Sequence, residues 1–245
     1  MNTQFDFSDR VAFITGGVSG IGLATSIAFL KSGAKVVACG ITDKELDAAA
    51  ANPELSGAQI ERLDVTDRIA VEKLIGSLSR LDFVVNCAGI IRRNEEHIPD
   101  KFDEVLDVHV SGSMRVSTAA RPLLKKQGGA IVNLGSVMSF FGGPAQPAYS
   151  SAKGAIRNLT MSLACAYASD GIRVNAVAPG WVITELSRGA RENPERNAHI
   201  MGRIPMDRWA DPAEIAQPIL FLCSDAASYM NGTVMPVDGG YISMG

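Results

Sequence analysis

The sequence predicts an α/β fold built on a doubly wound, seven-stranded and mostly parallel sheet with helices on both faces. Two observations lead to this fold class. Short runs rich in Val, Ile and Ala alternate with longer amphipathic stretches along the whole chain, which is the pattern of repeated strand-helix-strand units. The first run is followed directly by a glycine-rich turn and then by a helical stretch, an order typical of Rossmann-type sheets.

Seven apolar runs are the strand candidates, and the clearest amphipathic stretches between them are the helix candidates. The predicted strands cover residues 11–15, 35–39, 59–63, 83–86, 130–134, 173–178 and 233–237. The predicted helices cover residues 20–31, 67–78, 102–126, 148–168 and 212–224. Right-handed crossovers place the carboxyl ends of such strands along one edge of the sheet, where ligands bind.

A single domain is predicted from residue 1 to residue 245. Neither a linker rich in Ser and Gly nor a shift in composition marks a boundary, and 245 residues suffice for one large core. Residues 181–208 break the alternation because they are polar, rich in arginine and interrupted by Pro194 and Pro205. A loop of this length in a compact domain is usually functional or mobile, so we predict a mobile substrate loop there.

The composition argues against several classes of partner. The 23 basic residues are offset by 26 acidic ones, which gives a net charge of −3, and the longest basic runs are pairs. No nucleic-acid surface is therefore expected. No apolar run approaches the roughly 20 residues that a bilayer-spanning helix needs, and the first residues lack the pattern of a secretory signal. We expect no membrane contact and a cytoplasmic protein.

The four cysteines and three histidines are scattered along the chain. There is no Cys-x-x-Cys spacing, and no histidine cluster lies beside the cysteines, so neither a zinc site nor a disulfide framework is indicated. We expect no metal centre, and we expect the cysteines to be buried thiols in a reducing compartment.

The glycine-rich turn at residues 15–22 reads Thr-Gly-Gly-Val-Ser-Gly-Ile-Gly. Glycines permit a tight turn and let backbone N–H groups approach a pyrophosphate, whose charge is favoured by the amino terminus of the next helix. A plain connection between strand and helix is the alternative. The position directly after the first strand favours a nucleotide site.

Tyr149 and Lys153 lie four residues apart in a predicted helix, so the phenol and the ammonium share one helix face. A free tyrosine has a pKa of ~10, and ionising it near neutral pH requires a shift of roughly 3 units, worth about 4 kcal/mol. A neighbouring cation supplies part of that stabilisation. Ser136 follows the predicted strand at 130–134, which places its hydroxyl at the carboxyl edge of the sheet. An ordinary amphipathic helix and a capping serine are the structural alternatives.

Five motifs together resemble the short-chain dehydrogenase/reductase family across essentially the whole chain. They are Thr15-Gly-x-x-x-Gly-x-Gly22, Asn86-Cys-Ala-Gly89, Ser136, Tyr149-x-x-x-Lys153 and Pro179-Gly-x-x-x-Thr184. The resemblance implies a site for a nicotinamide dinucleotide and a homotetramer formed through the long helices. Its implied cofactor residues are Gly16, Ser19, Gly20, Ile21 and Gly22 at the pyrophosphate, Asp64 and Val65 at adenine, Asn86, Ala88 and Gly89 at the adenosine ribose, and Pro179, Gly180, Val182 and Thr184 at the nicotinamide.

The same resemblance implies the catalytic roles. Tyr149 would be the general acid/base, Lys153 would lower its pKa and grip the nicotinamide ribose, and Ser136 would orient the substrate oxygen. In the oxidation direction the phenolate accepts the alcohol proton while hydride leaves the same carbon. His109 stands where the family usually carries an asparagine. It either adds a titratable group to the proton relay or simply packs in its helix.

The end of the second strand bears on the choice of cofactor, because the adenosine ribose of a Rossmann-type site lies there. An acidic residue would accept hydrogen bonds from a 2′-hydroxyl, whereas an arginine would pair with a 2′-phosphate. Gly40 stands where an aspartate is common and Ile41 where an arginine is common. Since a phosphate without a cation is costly to bind, we expect NAD to be favoured over NADP.

The substrate is predicted less sharply than the reaction. Met138, Gln146, Arg92 and Trp181, together with the hydroxyls of Ser136 and Tyr149, are the substrate-facing candidates. The chain resembles the family's sugar-acid members, such as gluconate and keto-deoxygluconate dehydrogenases, and an arginine could hold a substrate carboxylate. A sugar, a polyol or a 3-oxoacyl thioester remains open as substrate, and a non-catalytic NAD(P)-binding regulator remains open as a second class of function.

Overall fold

The computed structural model describes residues 5–244 and confirms the predicted fold class. One sheet contains seven strands, all parallel, in the order β3-β2-β1-β4-β5-β6-β7. The strands are β1 (Val11–Thr15), β2 (Lys35–Gly40), β3 (Gln59–Arg62), β4 (Phe83–Asn86), β5 (Ala130–Leu134), β6 (Arg173–Pro179) and β7 (Val234–Val237). Each lies within one residue of its predicted bounds, because alternation of apolar runs with turn residues marks buried parallel strands clearly.

Nine α-helices connect and cover the strands in the described residues. They are α1 (Gly20–Lys31), α2 (Asp43–Ala50), α3 (Arg68–Gly76), α4 (Pro99–Leu106), α5 (Gly112–Gln127), α6 (Pro147–Tyr167), α7 (Arg188–Arg191), α8 (Pro194–Met201) and α9 (Pro212–Cys223). None of those between residues 5 and 244 is both long enough and apolar enough to cross a bilayer.

Three features differ from the sequence prediction. The helix predicted at 102–126 is in fact α4 and α5 joined by a π-helical segment, Asp107–Ser111, because one turn is widened there. Helix α2 was not predicted, although Thr42 and Glu45 form a capping box at its start. The segment 181–208, predicted as a loop, contains α7 and α8.

Both faces of the sheet are covered because the strands carry apolar side chains on both sides. Phe29 of α1 and Ile219 of α9 belong to the buried cluster on one face. Val116 of α5 and Leu163 of α6 belong to the cluster on the other face. Full burial of each such side chain stabilises the fold by roughly 1.5–3 kcal/mol, so the helices fix the sheet from both sides.

The strand order reverses between β1 and β4, and this topological switch point opens a crevice at the carboxyl edge. At the crevice the hydroxyl oxygen of Thr15 accepts hydrogen bonds from the backbone N–H groups of Cys87 and Ala88, both at 3.1 Å. The turns that follow β1 and β4 are therefore held against each other.

Asp82 ties the strands together at the opposite, amino edge of the sheet. Its fully buried carboxylate accepts hydrogen bonds from the Val11 N–H at 2.9 Å and from the Arg80 guanidinium at 2.8 Å. Its backbone donates to the Val11 carbonyl and accepts from the Ala130 N–H. One residue thus joins the starts of β1, β4 and β5.

Replacing Asp82 with Ala should lower the free energy of unfolding by about 3 kcal/mol, because it leaves the buried Val11 N–H without its acceptor and removes the bonds to Arg80. Urea unfolding followed by circular dichroism measures this loss. The matched control is Glu72→Ala, which removes an exposed ion pair with Arg68 and should cost less than ~0.5 kcal/mol. Equal losses in the two variants would contradict the role given to Asp82.

Candidate active site

A cleft of two connected cavities runs along the carboxyl edge of the sheet. The larger cavity, of about 610 Å³, lies over the glycine turn and the ends of β2, β3 and β4. The smaller one, of about 270 Å³, lies beside the ends of β5 and β6. Ile21, Leu134, Thr184 and Leu186 line both cavities, so a ligand in one can reach a ligand in the other.

The glycine turn forms the floor of the larger cavity. Gly16 and Gly20 have φ angles of 61° and 52°, in the left-handed region that favours glycine. A Cβ on Gly22 would lie 2.0 Å from the Gly16 carbonyl oxygen. Ser19 precedes α1 without a side-chain capping bond, so no side chain competes for the positive amino terminus of this helix. These features fit the pyrophosphate of a dinucleotide.

The predicted cofactor residues divide between the two cavities. Those lining the larger one are Gly16, Ser19, Gly20, Ile21, Gly22, Gly40, Ile41, Asp64, Val65, Ala88 and Gly89. Those lining the smaller one are Pro179, Gly180, Val182 and Thr184. A Cβ on Gly20 would lie 3.3 Å from the Thr184 methyl carbon, so the chain after β6 contacts the glycine turn where the cavities meet.

Lys153 and Asn86, also predicted to contact the cofactor, line neither cavity. Asn86 is buried. Its buried side-chain amide donates to the Asn133 side-chain oxygen at 2.8 Å and to the Ser117 hydroxyl at 3.3 Å. Asn133 in turn donates to the Thr160 hydroxyl at 3.0 Å. Asn86 thus braces β4 against β5 and α5 rather than facing a ribose.

Gly40 lacks a side chain for a packing reason. A Cβ on Gly40 would lie 2.4 Å from Cγ2 of Val18, so the valine of the glycine turn fills the space that an aspartate would need. Glu45 lines the larger cavity beside Gly40 and Ile41. Glu45 was not among the predicted site residues. Its capping box with Thr42 is a sequence pattern that predicts the start of helix α2 and orients the Glu45 side chain.

Ser136, Tyr149 and Lys153 come together where β5 ends. Ser136 and Tyr149 line the smaller cavity, and the Ser136 hydroxyl also caps the short helix Val137–Ser139. Lys153 is buried one turn after Tyr149 in α6, with Nζ 5.4 Å from the centroid of the tyrosine ring. Its ammonium donates to the Leu134 carbonyl at 2.6 Å.

Burial governs the charge states of this group. It raises the pKa of Tyr149, and the hydrogen bond with Ser136 only partly opposes that rise. Burial also lowers the pKa of Lys153 to about 8. The sequence led us to expect a lowered pKa for Tyr149. Without ligands the pKa is raised instead, because burial destabilises the phenolate more than the hydrogen bond with Ser136 stabilises it. In the state described, the phenol is protonated at neutral pH.

His109 lies in the π-helical segment and contacts the backbone that follows β4. Its Nε2 lies 3.1 Å from the Ile90 nitrogen and 2.8 Å from the Ile90 carbonyl oxygen, and its ring meets the Tyr149 ring edge to face at 5.4 Å. A Cβ on Gly89 would lie 2.4 Å from its Cε1. Burial, with a further contribution from Lys153, lowers the pKa of His109 to about 3, so the imidazole is neutral.

The substrate-facing predictions need one correction. Met138, Gln146 and Trp181 line the smaller cavity, as do Arg93 and Arg196. Arg92 does not line it, because its guanidinium turns away to pair with Glu104. Arg93, the next residue, lines the cavity instead, and Arg196 lies within the predicted substrate segment 181–208, on helix α8.

Within residues 5–244, no group of three or more His, Cys, Asp or Glu side chains is arranged to hold a metal ion.

Comparison with known proteins places the chain among nicotinamide-dependent enzymes. Residues 16–242 match the family described as Enoyl-(Acyl carrier protein) reductase. A 2-dehydro-3-deoxy-D-gluconate 5-dehydrogenase of Pseudoalteromonas atlantica is 34% identical, with 99% of both chains covered. A 3-oxoacyl-(acyl-carrier-protein) reductase of Thermotoga maritima is 37% identical, covering 95% of this chain and 98% of its own.

A solved structure described as an NAD(P)-dependent gluconate 5-dehydrogenase from Beutenbergia cavernae, with bound NADP, superposes with a TM-score of 0.88. It is 37% identical and covers 98% of this chain and 99% of its own. The likeness therefore extends over nearly the whole chain.

Replacing His109 with Asn should make the free energy of unfolding fall less steeply as the pH is lowered. The pKa of His109 is about 3 in the folded protein and ~6.5 in an unfolded chain. The contribution of His109 to the free energy of unfolding is therefore complete above pH 6.5. It is lost as the pH falls, at up to about 1.4 kcal/mol per pH unit. Urea unfolding between pH 7.5 and 5 measures the slope. His199→Asn, at an exposed position, is the control, and equal slopes in wild type and His109→Asn would refute the prediction.

Proposed function

Because the chain belongs to the short-chain dehydrogenase/reductase family, we propose that its cleft transfers hydride between a nicotinamide cofactor and a secondary alcohol or ketone of a small polyhydroxylated substrate. The protein is an NAD(P)-dependent oxidoreductase acting on CH–OH groups. The observation that carries the proposal is that Ser136 and Tyr149 line the smaller cavity next to its junction with the larger one.

Each catalytic side chain has a role that its surroundings support. The bound dinucleotide supplies the acceptor or donor of hydride and, when oxidised, a positive ring. Ser136 donates a hydrogen bond to the substrate oxygen, and Tyr149 exchanges a proton with it at the phenolic oxygen. Lys153 adds a buried positive charge near the phenol. Together with the positive ring of an oxidised cofactor, this charge favours the phenolate.

His109 is proposed to act through position rather than through its charge. A group with a pKa of about 3 does not exchange protons near neutral pH. Its contacts with the Ile90 backbone and the Tyr149 ring instead support a role in holding the turn after β4 against the catalytic helix. Of the two alternatives left open by the sequence, this arrangement favours packing.

Among substrates, a sugar acid or polyol is favoured over a 3-oxoacyl thioester. The smaller cavity has a volume of about 270 Å³, at the low end for ligand sites. It presents two guanidiniums and a glutamine amide beside the catalytic hydroxyls, which suits a short polar molecule better than an acyl chain. A non-catalytic regulator is disfavoured because it needs no proton-transfer group.

NAD is proposed to be preferred over NADP. Glu45 brings a carboxylate to the cavity wall beside Gly40 and Ile41, where it would repel a 2′-phosphate and accept a bond from a 2′-hydroxyl. The nearby cation is Arg62, but its guanidinium already pairs with Asp43 and donates to the Ile41 carbonyl at 2.6 Å. The solved relative from Beutenbergia cavernae is described as NAD(P)-dependent, with NADP bound at low occupancy.

The segment 181–208 is proposed to move as ligands exchange. Leu186 lines both cavities and is 57% exposed, and Ile183 beside it is 45% exposed. Apolar side chains exposed at the mouth of a cleft support closure over a ligand, since closure would remove them from water.

We also propose a homotetramer and a cytoplasmic location. A homotetramer is supported by exposed apolar side chains, Met114 and Met161, on the long helices α5 and α6. A cytoplasmic location is supported by the free state of all four cysteines, which suits a reducing compartment.

Replacing Tyr149 with Phe should abolish turnover and leave NADH affinity within about twofold, because it removes only the proton-transfer group. Absorbance of the nicotinamide band with a panel of polyols, aldonates and 3-oxoacyl thioesters measures turnover, and NADH fluorescence measures binding. Ser228→Ala, outside both cavities, is the control. Wild-type rates in Tyr149→Phe would contradict the assignment, and NADH binding without turnover of any substrate would favour the regulator.

Replacing Glu45 with Gln should narrow the preference for NADH over NADPH by at least fivefold, because the amide keeps an acceptor for the Thr42 cap but loses the negative charge. Fluorescence titration of both cofactors gives the two dissociation constants directly. The control is Asp47→Asn on the same helix, which is exposed and outside the cavity. The proposal would be overturned by wild-type protein that binds NADPH as tightly as NADH.

A further inference from the structure

Two guanidiniums enter the smaller cavity from separate parts of the chain. Arg93 lies in the turn after β4 and Arg196 in α8, and both are half-buried in the cavity wall. Within the part of the chain that the structure describes, neither forms a salt bridge. Two other arginines of the same segments do form salt bridges: Arg92 pairs with Glu104, and Arg188 pairs with Glu185.

The charges of Arg93 and Arg196 repel each other. Burial lowers the pKa of Arg93, and Arg196 lowers it further. The Glu96 carboxylate offsets part of this shift. It is buried and already accepts hydrogen bonds from the backbone N–H groups of Arg92, at 3.0 Å, and Tyr149, at 2.8 Å. The cavity therefore has an excess of positive charge, which an anion would neutralise.

Trp181 also lines this cavity. Its ring is held edge to face by Trp209 at 5.4 Å and by Tyr241 at 6.2 Å. Its indole nitrogen is buried and has no hydrogen-bond partner among residues 5–244. A buried donor without a partner is unfavourable and rare. A ligand that accepts a hydrogen bond from this N–H would therefore stabilise it.

We propose that Arg93, Arg196 and the indole N–H of Trp181 form a subsite for the carboxylate of the substrate. Guanidinium and indole groups only donate hydrogen bonds, whereas a carboxylate only accepts them, and its two oxygens match the fork of an arginine. The Gln146 side-chain oxygen accepts from Arg93 and so orients it. This inference rests on the proposed function, and it narrows the substrate class to hydroxy acids rather than neutral polyols or thioesters.

Calorimetry with D-gluconate and D-glucitol tests the subsite, because the two probes differ by a carboxylate in place of a terminal CH₂OH group. The full-length protein is saturated with NADH, so that neither probe is oxidised during the titration. Gluconate should bind at least tenfold more tightly than glucitol, which corresponds to about 1.4 kcal/mol. Arg93→Met and Arg196→Met should each weaken gluconate binding at least tenfold and leave glucitol binding unchanged. Trp181→Phe should weaken gluconate binding several-fold.

The controls are Arg92→Met and Arg188→Met, which remove neighbouring arginines that are paired outside the cavity and should keep wild-type gluconate affinity. Unchanged NADH affinity in all variants verifies that the cleft is folded. Equal binding of gluconate and glucitol, or unchanged gluconate binding in Arg93→Met and Arg196→Met, would overturn the subsite. Tighter binding of D-glucitol 6-phosphate than of gluconate would overturn its assignment to a carboxylate.

Turnover separates this inference from the proposed function. If the wild type oxidises neutral polyols as efficiently as the matching aldonates, the subsite is refuted while the oxidoreductase function stands. If the wild type oxidises no alcohol in the panel, the proposed function itself is refuted.

Discussion

A buried series of side-chain hydrogen bonds across three strands is the interaction on which the site depends. Thr15, Asn86 and Asn133 stand in register at the ends of β1, β4 and β5. Thr15 holds the turn after β4, Asn86 bonds to Asn133, and Asn133 bonds to Thr160 of the catalytic helix. Polar groups buried in this way are stable only when paired. The series therefore couples the position of the glycine turn to that of Tyr149 and Lys153.

The same burial that makes these bonds strong sets the chemistry of the site. Out of water, a phenolate, an ammonium and an imidazolium are all penalised, and Tyr149, Lys153 and His109 shift toward their neutral forms. The protein alone thus holds the Tyr149 phenol in the protonated state. In the proposed reaction, ionising this phenol would depend on positive charge brought by the bound cofactor.

The sequence predicted the strands and the glycine turn well because both depend on local pattern. Periodicity could not predict the π-helical segment at His109, since one widened turn leaves the spacing of apolar residues almost unchanged. Nor could it separate Arg92 from Arg93, because the direction of a side chain in an irregular turn is decided by partners such as Glu104, distant in sequence. Arg196 fell within the predicted substrate segment, but its helix α8 was not predicted because a short polar helix has the composition of a loop.

The contact between Gly40 and Val18 has an evolutionary consequence. Since an aspartate at position 40 would collide with the valine, the two sites are epistatic. A side chain at position 40 therefore requires a smaller residue at position 18. An aspartate introduced at position 40 alone would therefore displace the glycine turn before it could act as an acceptor.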